Sequence, residues 1–254
     1  MKNKAYWLKR VEHLDKVSIK EARKVCSLYK KQLIKTKKEM KALIALEIAE
    51  KKGMTEYEEY RINALVSDIN NELDRLFNEE ENMLNKALIN HYTLIYNELA
   101  DDLKIDSLFG FISSEKATKA IAYKWSGLSF SERIWNRRNV LASNVKEIIT
   151  KGFIRGDSIQ DMARLLADKM DANYSRAENL IHTETRFVQS SASLDAFKDA
   201  NVRKFEFMAY IDQRTSNVCR ELDGQIFDIE KAQIGTNVPP LHCRCRSAIT
   251  PIVE

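Results

Sequence analysis

All three prolines of this 254-residue chain lie in one stretch near its end, from Phe205 to Pro251. Proline interrupts helices because it lacks an N–H donor and clashes with the preceding turn, so the residues before Phe205 carry no such interruption. Three of the four cysteines and two of the seven glycines lie in the same stretch. The sequence therefore predicts a long helical body followed by a small, turn-rich module that carries the cysteines.

Two long helices are predicted at the start of the chain. From Tyr6 towards Gly53, apolar residues recur at spacings of three, four, seven or eight, which is the pattern of one helix face. Gly53 is placed as a C-cap, and the capping-box pattern from Thr55 to Glu58 begins a second helix that continues to about Leu99. An antiparallel hairpin is the simplest arrangement. A docking arm or coiled coil formed by the first helix is an open alternative.

Serine-led capping patterns predict three further helices. The patterns pair Ser129 with Glu132, Ser158 with Asp161, and Ser175 with Glu178. Gly152 is predicted to end the first of the three helices. Within it, Arg133, Arg137 and Arg138 surround Trp135. We interpret them as a solvated helix face around a buried tryptophan, and a basic patch for nucleic acid is the alternative.

Glu184 is an acidic residue at a position predicted to be buried. It shares a helical stripe with Leu180, Phe187 and Leu194. A buried carboxylate needs a partner, and residues two positions apart do not face each other on a helix. Arg186 is therefore excluded, and Arg214 is the predicted partner.

The composition sets limits on function. The net charge is +4, with 31% charged residues interspersed along the chain, which permits DNA contact without requiring it. No apolar run approaches the ~20 residues that cross a bilayer, and the N-terminus lacks the apolar segment of a signal peptide. We expect a protein made in a cytoplasm, with no membrane partner.

The fold class predicted is mainly α with a small α+β terminal module. A helical hairpin is expected over 1–110, a helical region over 111–200, and a small β-containing Cys/His module over 201–254. The first convincing strand follows Arg203, where the apolar period changes from about 3.6 to 2. Asp212 is expected to open a turn, and Asp223-Gly224 to form a hairpin-type turn before a second strand.

The cysteines of the module predict either a metal site or packed, inert thiols. Cys219, Cys243 and Cys245 are candidate zinc ligands, and His242 or Asp212 is a candidate fourth ligand. Entry through Pro239-Pro240 is expected to be extended, so that His242 points away from both following cysteines. A disulfide from Cys219 is a further alternative.

A nuclease-like site is a second functional interpretation. It would use Asp212 and His242 as metal ligand or general base, with Arg214 on a phosphate. The sequence lacks a second acid or histidine at a recognisable spacing, and it contains no glycine-rich phosphate loop. Catalysis is therefore poorly supported by the residues alone.

The terminal sequence resembles the phage Mu protein F-like family of minor head, or head morphogenesis, proteins. The resemblance is carried by HTETRF, FMAYIDQRTSNVCRELDGQIF and PPLHCRCRSAITP, in that order, over about Arg155 to Ile252. It extends loosely to AYWLKRVEHLDK and SGLSFSERIW. The motif positions carried over are Glu184, Asp212, Arg214, Thr215, Cys219, Asp223, Gly224, Pro240, His242, Cys243 and Cys245.

The resemblance implies a virion component and no enzyme. Such a protein would associate with the portal protein, and with capsid or scaffold proteins, during procapsid assembly in the bacterial host. It would lie in the capsid interior near the portal. There it would contact the packaged double-stranded DNA or assist its ejection. In many relatives a second cysteine stands at the position of Ser216, and Pro-Asn follows the histidine. This chain departs from both features, and the departures count against a four-ligand zinc site. Some relatives continue into a toxin domain, and we expect none here because the chain ends at Glu254.

Overall fold

The computed structural model describes residues 4–49, 56–105 and 114–253. Its helices are α1 (Lys4–Ala49), α2 (Glu56–Leu103), α3 (Ser114–Ala122), α4 (Phe130–Arg155), α5 (Ile159–Asp199) and α6 (Asn217–Leu222). Its strands are β1 (Lys204–Met208), β2 (Ile226–Asp228) and β3 (Ala248–Ile252). The predicted fold class is confirmed: the protein is mainly helical, and its β-strands form one small antiparallel sheet near the C-terminus.

The helices and sheet are grouped into two compact units. Unit 1 comprises Met1–Val25, Leu84–Phe130 and Asn179–Glu254, and unit 2 comprises Cys26–Met83 and Ser131–Glu178. The predicted division at residues 110 and 200 separates elements that follow one another along the chain, whereas each compact unit combines segments that are distant in the sequence. That division stays a prediction.

In unit 1, α1 and α2 run antiparallel. The Tyr6 hydroxyl donates to the Asp102 carboxylate, and the Arg10 guanidinium pairs with Glu98 at 2.9 Å. Further along, the Ser18 hydroxyl lies 2.8 Å from Nε2 of His91. The start of α1 therefore meets the end of α2, which confirms the predicted hairpin direction. Gly53 and Thr55, predicted to form the connection, lie outside the described residues.

In unit 2, the arginines of α4 attach that helix to α2. The Arg137 guanidinium pairs with the fully buried Glu80 and lies 5.5 Å from the centre of the Phe77 ring. Arg138 donates to Asp74 at 2.6 Å. Arg137 is itself largely buried, so the expected solvated face is wrong for this residue, and its guanidinium is already committed to a carboxylate.

Two predicted helix boundaries are wrong. Ser175 lies inside α5, where its hydroxyl donates to the Asp171 carbonyl one turn earlier, so it caps nothing. Gly152 lies inside α4, and a Cβ there would come within 2.4 Å of the Met162 sulfur. Gly152 therefore permits close packing. The helix ends at Arg155, before Gly156 in a left-handed conformation with φ 73°.

The sheet has the order β2-β1-β3, and both pairings are antiparallel. Phe205 lies opposite Phe227 on one side and Pro251 on the other. Phe205 and Phe207 are fully buried on alternate positions of β1, as the period of two predicts. None of the helices in the described ranges combines the length and the apolar character needed to cross a bilayer.

Candidate metal centre in the C-terminal module

The first part of the candidate centre is the beginning of α6. Ser216 is the N-cap of this helix, and its hydroxyl accepts a hydrogen bond from the Cys219 N–H at 3.3 Å. This cap directs Cys219 inwards, where it is 1% exposed and packs with Phe207 and Cys245. The Ser-x-x-Cys spacing thus places a hydroxyl and a thiol at one end of the same helix.

The second part is a tight turn from His242 to Cys245. The Cys245 N–H donates to the His242 carbonyl at 3.2 Å, and Arg244 adopts a left-handed conformation with φ 55°. The Thr183 hydroxyl of α5 accepts from the Arg244 N–H at 3.1 Å and so supports the turn. The expected extended conformation is wrong, because the turn brings His242 and Cys245 to the same side.

Cys219, His242 and Cys245 form one cluster. The Cys219 sulfur lies 3.3 Å from Nε2 of His242 and 3.8 Å from the Cys245 sulfur. The three ligand-type atoms all lie within 4.8 Å of one another. Ser216 adjoins them, with its hydroxyl oxygen 3.0 Å from Nε2 of His242. Two soft sulfur atoms and one imidazole nitrogen are a donor set that suits zinc.

Cys243 lies apart from this cluster. Its side chain is exposed, and its sulfur accepts from the Thr183 hydroxyl at 3.7 Å. All four cysteines of the chain are free, so the structure contains no disulfide at Cys219. Of the three predicted cysteine ligands, the fold brings Cys219 and Cys245 together with His242, the candidate fourth ligand, and places Cys243 outside that cluster. Metal binding itself stays a prediction.

Hydrogen bonding distinguishes the two buried thiols. The hydrogen bond between the two sulfurs, which lie 3.8 Å apart, lowers the pKa of Cys245 and raises the pKa of Cys219. Burial opposes thiolate formation at both positions. Cys245 is therefore the sulfur that more readily carries negative charge.

The second ring nitrogen of His242 sets its tautomer. Nδ1 lies 2.9 Å from the Cys243 carbonyl oxygen. A carbonyl oxygen can only accept, so Nδ1 carries the proton of the neutral ring. Nε2 is consequently the free lone-pair site, and it faces the Cys219 sulfur and the Ser216 hydroxyl. A histidine arranged in this way is ready to act as a ligand.

Asp212 forms a clamp beside the cluster. Arg246 donates to both of its carboxylate oxygens, at 2.7 and 2.5 Å. The Arg214 N–H donates to the same carboxylate at 2.8 Å, which confirms the predicted turn. The Arg246 guanidinium holds the pKa of the Asp212 carboxyl well below its usual range. Thr215 completes the clamp by accepting the Asp212 N–H at 2.8 Å.

The predicted pairing of Arg214 with Glu184 is wrong. The Arg214 side chain is 84% exposed and its ion pair is with Asp212, whereas Glu184 is 2% exposed on α5. The burial of Glu184 itself agrees with the helical stripe. The motif that contains both residues does not bring their side chains together, since Glu184 is buried on α5 and Arg214 is exposed in the turn after β1.

A buried polar chain connects α5 to the cluster. Arg186 donates to the Cys245 carbonyl at 3.3 Å and to the Gln189 side chain at 2.6 Å. The Gln189 oxygen also accepts from Ser18, which contacts His91. Burial lowers the pKa of Arg186 to about 10. The chain links the backbone of a cluster residue to both long N-terminal helices.

The remaining motif residues shape the module. The Asp223 carboxylate accepts the Ala209 N–H at 2.8 Å. Gly224 has φ 75°, and its N–H donates to the Phe207 carbonyl at 2.9 Å, so the pair turns the chain from α6 into β2. Pro240 is buried. None of these three residues is a member of the Cys219, His242 and Cys245 cluster.

Several residues of this centre were not predicted from the sequence. Arg246, the bidentate partner of Asp212, stands immediately after Cys245 in the C-R-C-R run, and the alternation of Cys and Arg is the only sequence signal for it. Thr183 and Arg186 lie in and beside HTETRF, and they support the turn from a helix far away in sequence. No local pattern in the chain indicates those contacts.

Comparisons with known proteins find a family match for the C-terminal part of the chain. Residues 143–250 match the family described as Phage Mu protein F like protein. The chain is 25% identical over 263 residues to NAD(+)--arginine ADP-ribosyltransferase EFV of Enterococcus faecalis (strain ATCC 700802 / V583), covering 94% of this chain and 53% of that protein. It is 20% identical over 117 residues to an uncharacterized protein of Haemophilus influenzae, covering 46% of this chain and 26% of that protein. No solved structure matches.

The match to the phage Mu protein F-like family covers residues 143–250, less than half of the chain, and agrees with the resemblance seen in the sequence. A match to this family suggests a phage head morphogenesis protein. The chain spans about half the length of one curated relative and about a quarter of the other. The activity in the name of the enterococcal protein is a property of that longer protein.

Proposed function

We propose that this protein is a minor head protein that associates with the portal vertex during procapsid assembly. The family match over residues 143–250 is the observation that carries the proposal. The protein lies inside the capsid near the portal, where it meets the portal protein first and capsid or scaffold proteins second. From this position it assists the passage of DNA at ejection.

The Asp212 clamp gives this proposal a candidate contact surface. Tyr210, Ile211 and Val218 are each more than half exposed around the clamp, although all three are large and apolar. Exposed apolar side chains grouped on one surface are typical of interaction sites. The bidentate Asp212–Arg246 pair holds the loop that presents them, so docking costs little conformational entropy.

A pull-down with purified portal protein of the same phage tests the proposal. We expect the full chain to bind the portal, and the double variant Ile211→Asp, Val218→Asp to bind at least tenfold more weakly, because charges enter an apolar contact. Val140→Asp with Ile154→Asp is the matched control, since these two apolar residues of α4 are also more than half exposed. If the wild-type chain fails to bind the portal, the proposal is wrong.

Loss of binding in the α4 control alone would transfer the contact to that helix. Portal association would stand in that case, and only the surface would change. Both pairs of substitutions are at exposed positions, so folding should be preserved. Circular dichroism of each variant checks this directly.

Contact with packaged DNA is a second part of the proposal, favoured by a specific feature of α1. Lys16, Lys20 and Arg23 are exposed, and their spacing of four and three places them on one helix face. They line a shallow groove together with Ile19. Three cations along one face suit the evenly charged backbone of double-stranded DNA.

The DNA contact is tested by binding at several salt concentrations. We expect the affinity for a random duplex to fall steeply with salt, and substitution of all three residues by Gln to reduce the log–log slope by about 2 to 3. Lys86, Lys146 and Lys169 are equally exposed on three other helices, and their substitution by Gln is the control. An unchanged slope in the Lys16, Lys20, Arg23 variant would remove α1 from the contact.

The alternative function is a metal-dependent enzyme that acts on nucleic acid. It needs the Asp212 carboxylate as a ligand or base, and that carboxylate is held by Arg246 on both oxygens. We therefore expect no cleavage of DNA or RNA by the purified protein with added Zn²⁺, Mg²⁺ or Mn²⁺. Cleavage that disappears with chelator and in His242→Ala would establish the alternative.

A further inference from the structure

The cluster of Cys219, His242 and Cys245 has the spacing of a metal tetrahedron. Zinc binds sulfur at about 2.3 Å and imidazole nitrogen at about 2.0 to 2.1 Å, which gives sulfur–sulfur edges of about 3.8 Å and sulfur–nitrogen edges of about 3.6 Å. The observed separations are 3.8 Å between the sulfurs and 3.3 Å between Nε2 and the Cys219 sulfur. A zinc ion fits with small side-chain adjustments.

We propose that Cys219, His242 and Cys245 bind one Zn²⁺ ion, with a water molecule beside Ser216 as the fourth ligand. The ion joins the beginning of α6 to the turn that precedes β3. This inference does not depend on the portal association proposed above.

The surroundings of the cluster support a ligand role over simple packing. The His242 ring is oriented by the Cys243 carbonyl so that Nε2 presents its lone pair to the cluster, which is how zinc-bound histidines are usually held. Cys219 and Cys245 are almost fully buried, and Phe207, Leu222 and Leu241 surround them. This apolar shell restricts access of water and competing ligands to the ion.

Ser216 adjoins the proposed position of the fourth ligand. Its hydroxyl lies 3.0 Å from Nε2 of His242, where it can hydrogen-bond to a water molecule bound to the ion. A serine hydroxyl is a weaker zinc ligand than a thiolate, so the site keeps a water and releases its ion more readily than a four-ligand site. The sequence Ser216-x-x-Cys219 becomes Cys-x-x-Cys with a single substitution.

Metal analysis of the full-length protein tests the proposal. We expect about one zinc per chain in the wild type, and loss of the zinc in Cys219→Ser, Cys245→Ser and His242→Gln. Cys243→Ser is the matched control, because it removes the exposed thiol between the two proposed ligands of the turn. This control should retain its zinc. A wild-type protein without zinc, or equal zinc loss in Cys243→Ser, would overturn the proposal.

Two further measurements apply if a ligand variant fails to fold. Cobalt added to the chelator-treated wild type should produce the visible absorption of tetrahedral coordination with two thiolates, and its absence would contradict the site. Ser216→Cys should slow zinc removal by chelator at least tenfold, because a thiolate replaces the water. No slowing would contradict the placement of the fourth ligand beside Ser216.

Discussion

His91 is a buried histidine of α2. Its Nε2 contacts the Ser18 hydroxyl, and its Nδ1 has no hydrogen-bond partner among the described residues. Burial lowers the pKa of His91 to about 4, from an ordinary value near 6.5. The folded protein therefore prefers the neutral ring, while the unfolded chain takes up a proton at higher pH.

We predict that this histidine makes stability depend on pH. Stability should be complete above about pH 6.5 and fall as the pH drops towards 4, because only the unfolded chain gains a proton in that range. The shift of about 2.5 pKa units corresponds to a loss of about 3 kcal/mol. Urea unfolding at pH 7, 5.5 and 4.5 measures it. His91→Gln should reduce the pH dependence, whereas the half-exposed His13→Gln should not. Equal pH dependence in His91→Gln and the wild type would contradict the assignment.

Single residues also show where sequence reasoning succeeds. The burial of Glu184, the Asx turn at Asp212 and the helical placement of Cys219 all follow from local spacing, and the structure has each of them. The partners of these residues do not follow from spacing. The Arg246 guanidinium contacts both carboxylate oxygens of Asp212, and His242 rather than Cys243 joins Cys219, because those pairings depend on a turn that α5 supports.

Pairs of helices are fixed by individual ion pairs, and the most buried of these joins α2 to α4. The Glu80 side chain is completely buried, and burial raises its pKa while Arg137 opposes that effect. Removal of one member of a buried pair leaves an uncompensated group, whereas replacement of both by apolar residues is often neutral.

We predict a strong asymmetry between the single and double substitutions of this pair. Arg137→Met should destabilise the protein by about 3 to 5 kcal/mol, and Glu80→Leu with Arg137→Met by much less. Arg138→Met is the neighbouring control. Its partner Asp74 is 42% exposed, so the change should stay within about 1 kcal/mol. Urea unfolding of Arg137→Met, Glu80→Leu, the double variant and Arg138→Met provides the measurement, and the first three with the wild type complete a double-mutant cycle. A double variant as unstable as Arg137→Met alone would show that packing dominates.

Gly152 lowers the helix propensity of α4, but the packing of Met162 against it leaves no room for a larger residue. Alanine would raise helix propensity by about 1 kcal/mol, but its Cβ would lie within 2.7 Å of two atoms of the buried Met162. We expect Gly152→Ala to destabilise the protein by about 1 to 3 kcal/mol through overpacking. The same change in a Met162→Ala background should be stabilising, because the obstructing atoms are gone. Thermal melts of the four proteins test this, and a stabilised single variant would contradict it.

Helix boundaries divide into those a local pattern decides and those that packing decides. At Ser158 the hydroxyl accepts the Asp161 N–H at 3.1 Å, and α5 begins there as predicted. Ser175 with Glu178 has an equivalent pattern, yet α5 continues through it. The difference lies in tertiary burial, since Asn173 and Ala177 on either side of Ser175 are buried and keep the helix continuous. Local patterns in a single sequence do not show which positions tertiary packing will bury.

At the scale of the whole molecule, the terminal module depends on α5. Thr183 supports the Arg244 backbone, and Arg186 donates to the Cys245 carbonyl. We therefore predict that residues 201–254 alone will not fold, although the sequence suggested a separate module there. A dispersed amide NMR spectrum from this fragment would disprove the prediction. The full chain under identical conditions, with its α5 contacts intact, is the reference.

The chain's overall organisation was predictable where it rests on composition and periodicity. The absence of early prolines, the helical stripes and the change of period at β1 gave the fold class and the hairpin. The two compact units could not be predicted from composition and periodicity, because α1, α2 and α5 each contribute residues to both of them. Compactness of this kind arises from contacts between distant segments, which periodicity along the chain does not record.

The buried polar chain from Ser18 through Gln189 and Arg186 to the Cys245 carbonyl has an evolutionary consequence. Recombination with the gene of a relative would disrupt it if the crossover fell between α5 and β1, since each half would retain polar groups matched to a lost neighbour. Viable chimaeras should instead inherit α5 and the cysteine-bearing tail as one heritable block.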